Sequence, residues 1–276
     1  MNGFMSMKVR AIADRTTLHC DPALLRSFEE QLDPLEPEAG PLRVKVLGYG
    51  EMSTVFAIDT PDTQDLCFKR MPMFDSVEEV ESYSSLYNSF MDLLEGPIGV
   101  RTVPSRLVEV GRHRGSIVVY IVQKKLSPDC VVQRLIGVLE ERGLLALLRS
   151  ALTEAEKVYR FNDAQAGATA LAIDGQLSNW ALRTPGDQAL LERGETVGLD
   201  YLDTSTPLLR EKGHERLDTE LFLRAAPPFL KPLLRRFAVR ETVELSYRHV
   251  VPGRVQTLLA GGVPFVMGRR EGYRIL

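Results

Sequence analysis

Apolar and polar positions change period repeatedly along this chain, and each change marks a boundary between elements. "DPALLRSFEEQL" (Asp21 to Leu32) spaces its apolar residues helically behind an Asp-Pro start, and the proline-rich "DPLEPEAGP" after it reads as a linker. From Pro41 the period shortens: "PLRVKVLGYGEMSTVFAID" and "DLCFKRMPM" predict three short strands, with "DTPDTQD" as the second turn. "DSVEEVESYSSLYNSFMDLL" returns to a helical period, capped by Asp75 or Ser76, with Val77, Val80, Tyr83, Leu86, Tyr87, Phe90 and Leu94 on one face. "SRLVEVGRHRGSIVVYIVQKKL" then predicts a hairpin whose second strand is continuously apolar and therefore buried.

After "SPDC" the pattern is helical over many turns, in "VVQRLIGVLEERG" and "GLLALLRSALTEAEKVYRFNDA". A second β patch follows, "TALAIDGQLSNWALRT", the turn "PGDQ", "ALLERGE" and "TVGLDYLDTSTP"; from about Glu215 the tail reads as helical again, broken by prolines. There is no internal repeat. The expected organisation is an N-terminal helical extension and linker (1–40), an antiparallel β-lobe with one helix (41–126) and a mainly helical lobe (127–276), an α+β class.

Composition narrows the picture. Hydrophobic residues at 44% and charged residues at 26% of 276 are globular values, and a net charge of -3 gives no basic field for nucleic acid or an anionic membrane. Three cysteines far apart (Cys20, Cys67, Cys130) make no disulfide framework, and together with the four histidines they show no metal-ligand spacing, so a reducing cytoplasm is expected. "MNGFMSMKVRAIAD" lacks the apolar core of a signal peptide, and no stretch is long and apolar enough to span a bilayer.

Candidate chemistry collects in four stretches. "VLGYGEMSTVF" sets Gly48 and Gly50 inside a run of β-formers, where glycine marks close approach to the backbone and N–H groups can cradle a phosphate chain. "LCFKR" buries Lys69 in an apolar strand, which is costly unless the lysine is paired. "AIDGQLSNWAL" sets Asp174 and Asn179 five residues apart between β-like flanks, and "TVGLDYLDTSTP" offers Asp203, or alternatively Asp200, after an apolar strand.

In this order the four stretches resemble the protein-kinase-like superfamily, and within it the small kinases akin to aminoglycoside phosphotransferases, over roughly Val44 to Pro207. The resemblance implies a two-lobed fold with ATP and Mg2+ in the cleft. Gly48 and Gly50 take the first two positions of the glycine-rich loop and Ser53 the third, while Val55 packs on adenine. It implies Lys69 on the α- and β-phosphates, paired with a glutamate of the next helix: Glu81, or failing that Glu79 or Glu78. It further implies Asp174 as the base, free of structural hydrogen bonds, with Asn179 and Asp203 on the metal, and backbone groups of Gln123 to Leu126 on adenine. Trp180 and Tyr201 read as core aromatics.

The chain also departs from the pattern. Ala172 and Ile173 stand where His-Arg or His-Gly is usual, Gln176 replaces a basic residue, and no glycine follows Asp203. Without the arginine nothing reads a phosphorylated activation loop, which favours a small-molecule hydroxyl as acceptor. The expected activity is phosphotransfer from ATP to that hydroxyl. A pseudokinase or interaction module without turnover, and nucleotidyl transfer on the same scaffold, are the alternatives.

Overall fold

A computed structural model describes residues 11–12, 18–34, 36–49, 53–113, 115–218 and 220–225. The remaining residues lie outside this description, including Gly50 and the tail beyond Ala225 that was expected to be helical.

The sheet of the first lobe is built around β4 (Leu66–Phe74), in which every residue but Pro72 is buried. It is flanked by β3 (Thr54–Ile58) and β6 (Ser116–Lys124), with β2 (Val44–Tyr49) at one edge and β5 (Ser105–His113) and β1 (Ala11–Ile12) at the other. The order is β1-β5-β6-β4-β3-β2, all antiparallel. The two-residue strand β1 therefore joins the sheet rather than preceding it.

Two helices cover the sheet, one on each face. α1 (Pro22–Gln31) starts at Asp21, whose carboxylate accepts the Ala23 N–H, and it buries Leu25 and Phe28 against Phe56, Phe68, Val118 and Tyr120. α2 (Val77–Glu95) starts at Ser76, whose side chain accepts the Glu79 N–H, and it buries Val80, Tyr83, Leu86, Tyr87, Phe90 and Leu94 on the other face. Val77, expected on that apolar face, is exposed at the first helical position.

Strand alternation sends neighbouring side chains of β4 to opposite cores. Lys69 faces the second lobe. Arg70 faces α1, where its guanidinium donates to both carboxylate oxygens of Glu29 at 2.8 and 2.5 Å while the Tyr120 hydroxyl donates to Glu29 at 2.5 Å. This ion pair, with Glu29 only 2% exposed, pins α1 to the back of the sheet.

The second lobe hangs on α4 (Glu141–Ala164), which buries Gly143, Ala146, Leu147, Ser150, Ala151, Glu154 and Val158 along one stripe. The preceding helix α3 (Val132–Leu135) is only four residues long, shorter than its apolar period suggested. Gly137 and the β-branched Val131, Val132, Ile136 and Val138 are poor helix formers, and the chain turns before α4 restarts.

Small β units finish the lobe. β7 (Thr169–Ala172) pairs with β10 (Leu208–Glu211), β10 with β11 (His214–Glu215), and β8 (Trp180–Leu182) with β9 (Leu199–Tyr201). "ALLERGE", assigned to the β patch, instead supplies most of the helix α5 (Gln188–Glu192), which starts at the last residue of "PGDQ". The region around Glu215, expected to be helical, is β11, and α6 (Glu220–Ala225) begins later. The Arg224 side chain on α6 reaches Glu79 at 2.7 Å and Asp75 at 3.1 Å, tying this end of the second lobe to the start of α2.

Candidate active site

The turn that carries Asp174 is held from several directions. The Asn162 side chain, near the end of α4, takes both the N–H and the C=O of Leu171 at 2.8 Å, so an amide stands in for a strand neighbour and fixes β7. Beyond β7 the Asp174 carboxylate accepts the Gln176 N–H at 3.1 Å, and the Asn179 amide donates to the Asp174 carbonyl at 3.3 Å. The Asp174 N–H donates to the Tyr201 hydroxyl at 3.1 Å. Tyr201 is itself held in place: its ring packs edge-on against Trp180 at 5.2 Å, and its main chain bonds to Arg101 and Val103. Both aromatics belong to the core, as expected.

Asp174 is therefore not free of structural hydrogen bonds. The turn bonds to its Oδ1 because a short carboxylate reaches its own backbone two residues on. Burial pushes its carboxyl pKa up; the Gln176 and Asn179 donors offset part of this, and the charge of Asp203 adds to it.

The lysine arrives from the other lobe. Lys69, 8% exposed, donates to the Leu202 carbonyl at 2.8 Å and lies 3.8 Å from Asp203 Oδ1. Gln123 also donates to Leu202 O, at 3.1 Å. Its side chain thus points into the site from the end of the buried strand β6, in a stretch for which the sequence implied only backbone contacts. Asp203 Oδ1 also accepts from Ser205 N and Oγ, and among the described residues every hydrogen bond to this carboxylate falls on that one oxygen.

Val55 is the cross-strand partner of Lys69, so both face the cleft, and Ser53 is buried just ahead of it. Gly48 sits where the β2–β3 register shifts. A Cβ added there would meet nothing within 4 Å and the backbone is not left-handed, so neither packing nor conformation requires a glycine.

Glu81 is not brought to Lys69: it lies on the exposed side of α2. Glu78 is exposed as well, and Glu79 is held by Arg224 and by the Asp75 N–H at 2.8 Å. The face of α2 toward the site carries tyrosines instead. Tyr83 donates to the Ser205 carbonyl at 2.8 Å, and the Tyr87 hydroxyl lies 2.8 Å from Ser105 Oγ and 3.4 Å from Thr204 Oγ1. The helical period showed that these residues share a buried face, but not that their hydroxyls reach a segment more than a hundred residues away.

Asp200, the alternative metal carboxylate, points elsewhere. Arg183 Nε holds it at 3.0 Å and Arg101 Nε at 3.5 Å. One strand residue separates the faces: Asp200 turns away from Lys69, and Asp203 follows the end of β9 into the cleft.

An antiparallel sheet with a lysine on its central strand and one helix before the next hairpin, joined to a helical lobe carrying an Asp–Asn turn, makes this a two-lobed α+β protein. The chain belongs to the family described as "Family of unknown function (DUF6206)", which matches residues 38–238. No curated protein matches it. Among solved structures, one titled "WaaP in complex with acyl carrier protein" aligns over 81% of this chain and 97% of its own, at 16% identity and a TM-score of 0.36. Among the described residues no helix is long and apolar enough to cross a membrane, and no three His, Cys, Asp or Glu side chains cluster as a metal site.

Proposed function

We propose that this protein is an ATP- and Mg2+-dependent phosphotransferase acting on a hydroxyl, with a small molecule as acceptor. The observation that carries the reading is the meeting of Lys69 with Asp203 across the two lobes, 3.8 Å apart, beside the turn of Asp174 and Asn179. Bound MgATP would supply the phosphoryl group and neutralise its charge.

The residues fit that group. A magnesium ion bound with nucleotide needs only one or two carboxylates, the phosphates providing further oxygens, so Asp203 and the Asn179 side-chain oxygen form a sufficient protein share. Gly48, open on its Cβ side and unexplained by packing, leaves room for phosphates against the backbone. Lys69, 3.8 Å from Asp203, would present its ammonium to the phosphates. Asp174 would take the proton of the acceptor hydroxyl, its raised pKa making it a better base than an exposed aspartate. Tyr201, kept un-ionised by burial, orients the Asp174 backbone.

A second reading, nucleotide binding without turnover, is favoured by Gln176, which leaves no cation beside Asp174 within the turn. The two carboxylates test the site itself. Asp203→Ala is expected to abolish the Mg2+ dependence of ATP binding in calorimetry. Asp200→Ala is expected to keep that dependence while lowering the unfolding midpoint, because Arg183 and Arg101 lose their partner. The reverse pattern would move the metal carboxylate to Asp200 and undo the assignment.

A further inference from the structure

The α2 helix enters the cleft with hydroxyls where the superfamily pattern has a carboxylate. Tyr83 is 2% exposed and its O–H ends on the Ser205 carbonyl; Tyr87 is 1% exposed and its hydroxyl lies between Ser105 and Thr204. Burial raises the Tyr83 pKa far above that of a free phenol, and the charges of Tyr87 and Asp203 push it the same way, so the group stays a neutral donor. With the Lys69 and Gln123 bonds to Leu202, the chain from Leu202 to Ser205 is hydrogen-bonded to the first lobe at three of its four residues. The fourth, Asp203, meets Lys69 as an ion pair at 3.8 Å, and its tethered neighbours aim the carboxylate.

We infer that Tyr83 and Tyr87 are positioning residues for Asp203, doing with neutral hydrogen bonds what a helix glutamate would do through Lys69. The inference rests on the phosphotransferase reading for its meaning, though not for its geometry. A glutamate from α2 would compete with Asp203 for Lys69 and add a third negative charge near the phosphates. A hydroxyl fixes the same segment without changing the charge of the site. Among the described residues Asp203 is accordingly the one carboxylate within ion-pair distance of Lys69. Glu79, freed from that task, is used by Arg224.

The test uses Tyr83→Phe in the full chain, with two readouts. One is amide hydrogen exchange of the 202–205 segment; the other is ATP affinity with and without Mg2+, followed by the fluorescence of Trp180, the single tryptophan of the chain, which packs on Tyr201. The expected result is exchange faster by about tenfold and a metal-dependent gain in ATP affinity smaller by about tenfold, the scale of one lost buried hydrogen bond, with metal-free affinity nearly unchanged. Unchanged exchange, or affinities that fall in parallel with and without metal, would overturn the inference. Should Tyr83→Phe fail to fold, Tyr87→Phe carries the same test through Thr204. If the wild-type protein binds no ATP, the phosphotransferase reading falls, and the exchange readout alone still decides whether the tyrosines hold Asp203.

Discussion

Asp174→Asn is expected to leave ATP and Mg2+ affinity nearly unchanged while turnover falls by ~10²–10⁴-fold, the usual share of a general base. Asparagine keeps the oxygen that accepts the Gln176 N–H, so the turn survives and only the basicity is lost. The assay is ATP hydrolysis or autophosphorylation, with ADP as the expected product; pyrophosphate would point to nucleotidyl transfer, and equal rates in both proteins to binding without turnover. The pH behaviour follows from the raised carboxyl pKa. The folded state holds the Asp174 proton to higher pH than the unfolded chain does, so this group costs stability as pH rises from the ordinary carboxylate range through its folded pKa. The variant should therefore be somewhat more stable than wild type at neutral pH, while wild-type activity rises through the same window as the base ionises. A variant less stable than wild type at pH 7 would show that the carboxylate is structural.

Glu29→Ala should be the most damaging single change to the fold, at ~3–5 kcal/mol, because it leaves the Arg70 guanidinium buried without its counter-charge. The Tyr120 hydroxyl loses its acceptor in the same step. The cost lies in desolvation rather than in the strength of the pair. Replacing all three groups by apolar ones, Glu29→Leu with Arg70→Met and Tyr120→Phe, should recover most of the loss. Urea unfolding of the two variants checks both halves of the argument, and a triple variant as unstable as Glu29→Ala would contradict the desolvation account.

Local pattern carried much of the fold. The apolar run around Lys69 identified a buried strand, and Ser76 with the spacing of Tyr83, Tyr87 and Phe90 identified α2. What the sequence hid was of two kinds. Short elements lack enough residues to show a period: β10 and β11 together span six residues and are joined by Lys212-Gly213, both at positive φ, a turn that the residue types announce only weakly. Long-range partners leave no periodic trace at all. Arg70 finds Glu29 forty-one residues earlier, Tyr83 finds Ser205 at a separation of 122, and Lys69 finds Leu202 at 133. Helical period could place a glutamate or a tyrosine on α2, but only packing decides which side chain meets the lysine, and here the tyrosine face turned inward.

The most direct measurement of the central claim is the thermal unfolding of wild type and Lys69→Ala with ATP, with and without Mg2+. At ~100-fold excess over Kd a selective ligand adds ~2.7 kcal/mol of stability. For a chain of this size that is a rise in Tm of roughly 5–10 °C. The account predicts this rise for wild type with MgATP, a smaller one without metal, and none for Lys69→Ala, each protein being compared with its own unliganded Tm. No shift in the wild-type protein, or the same shift in Lys69→Ala, would contradict it.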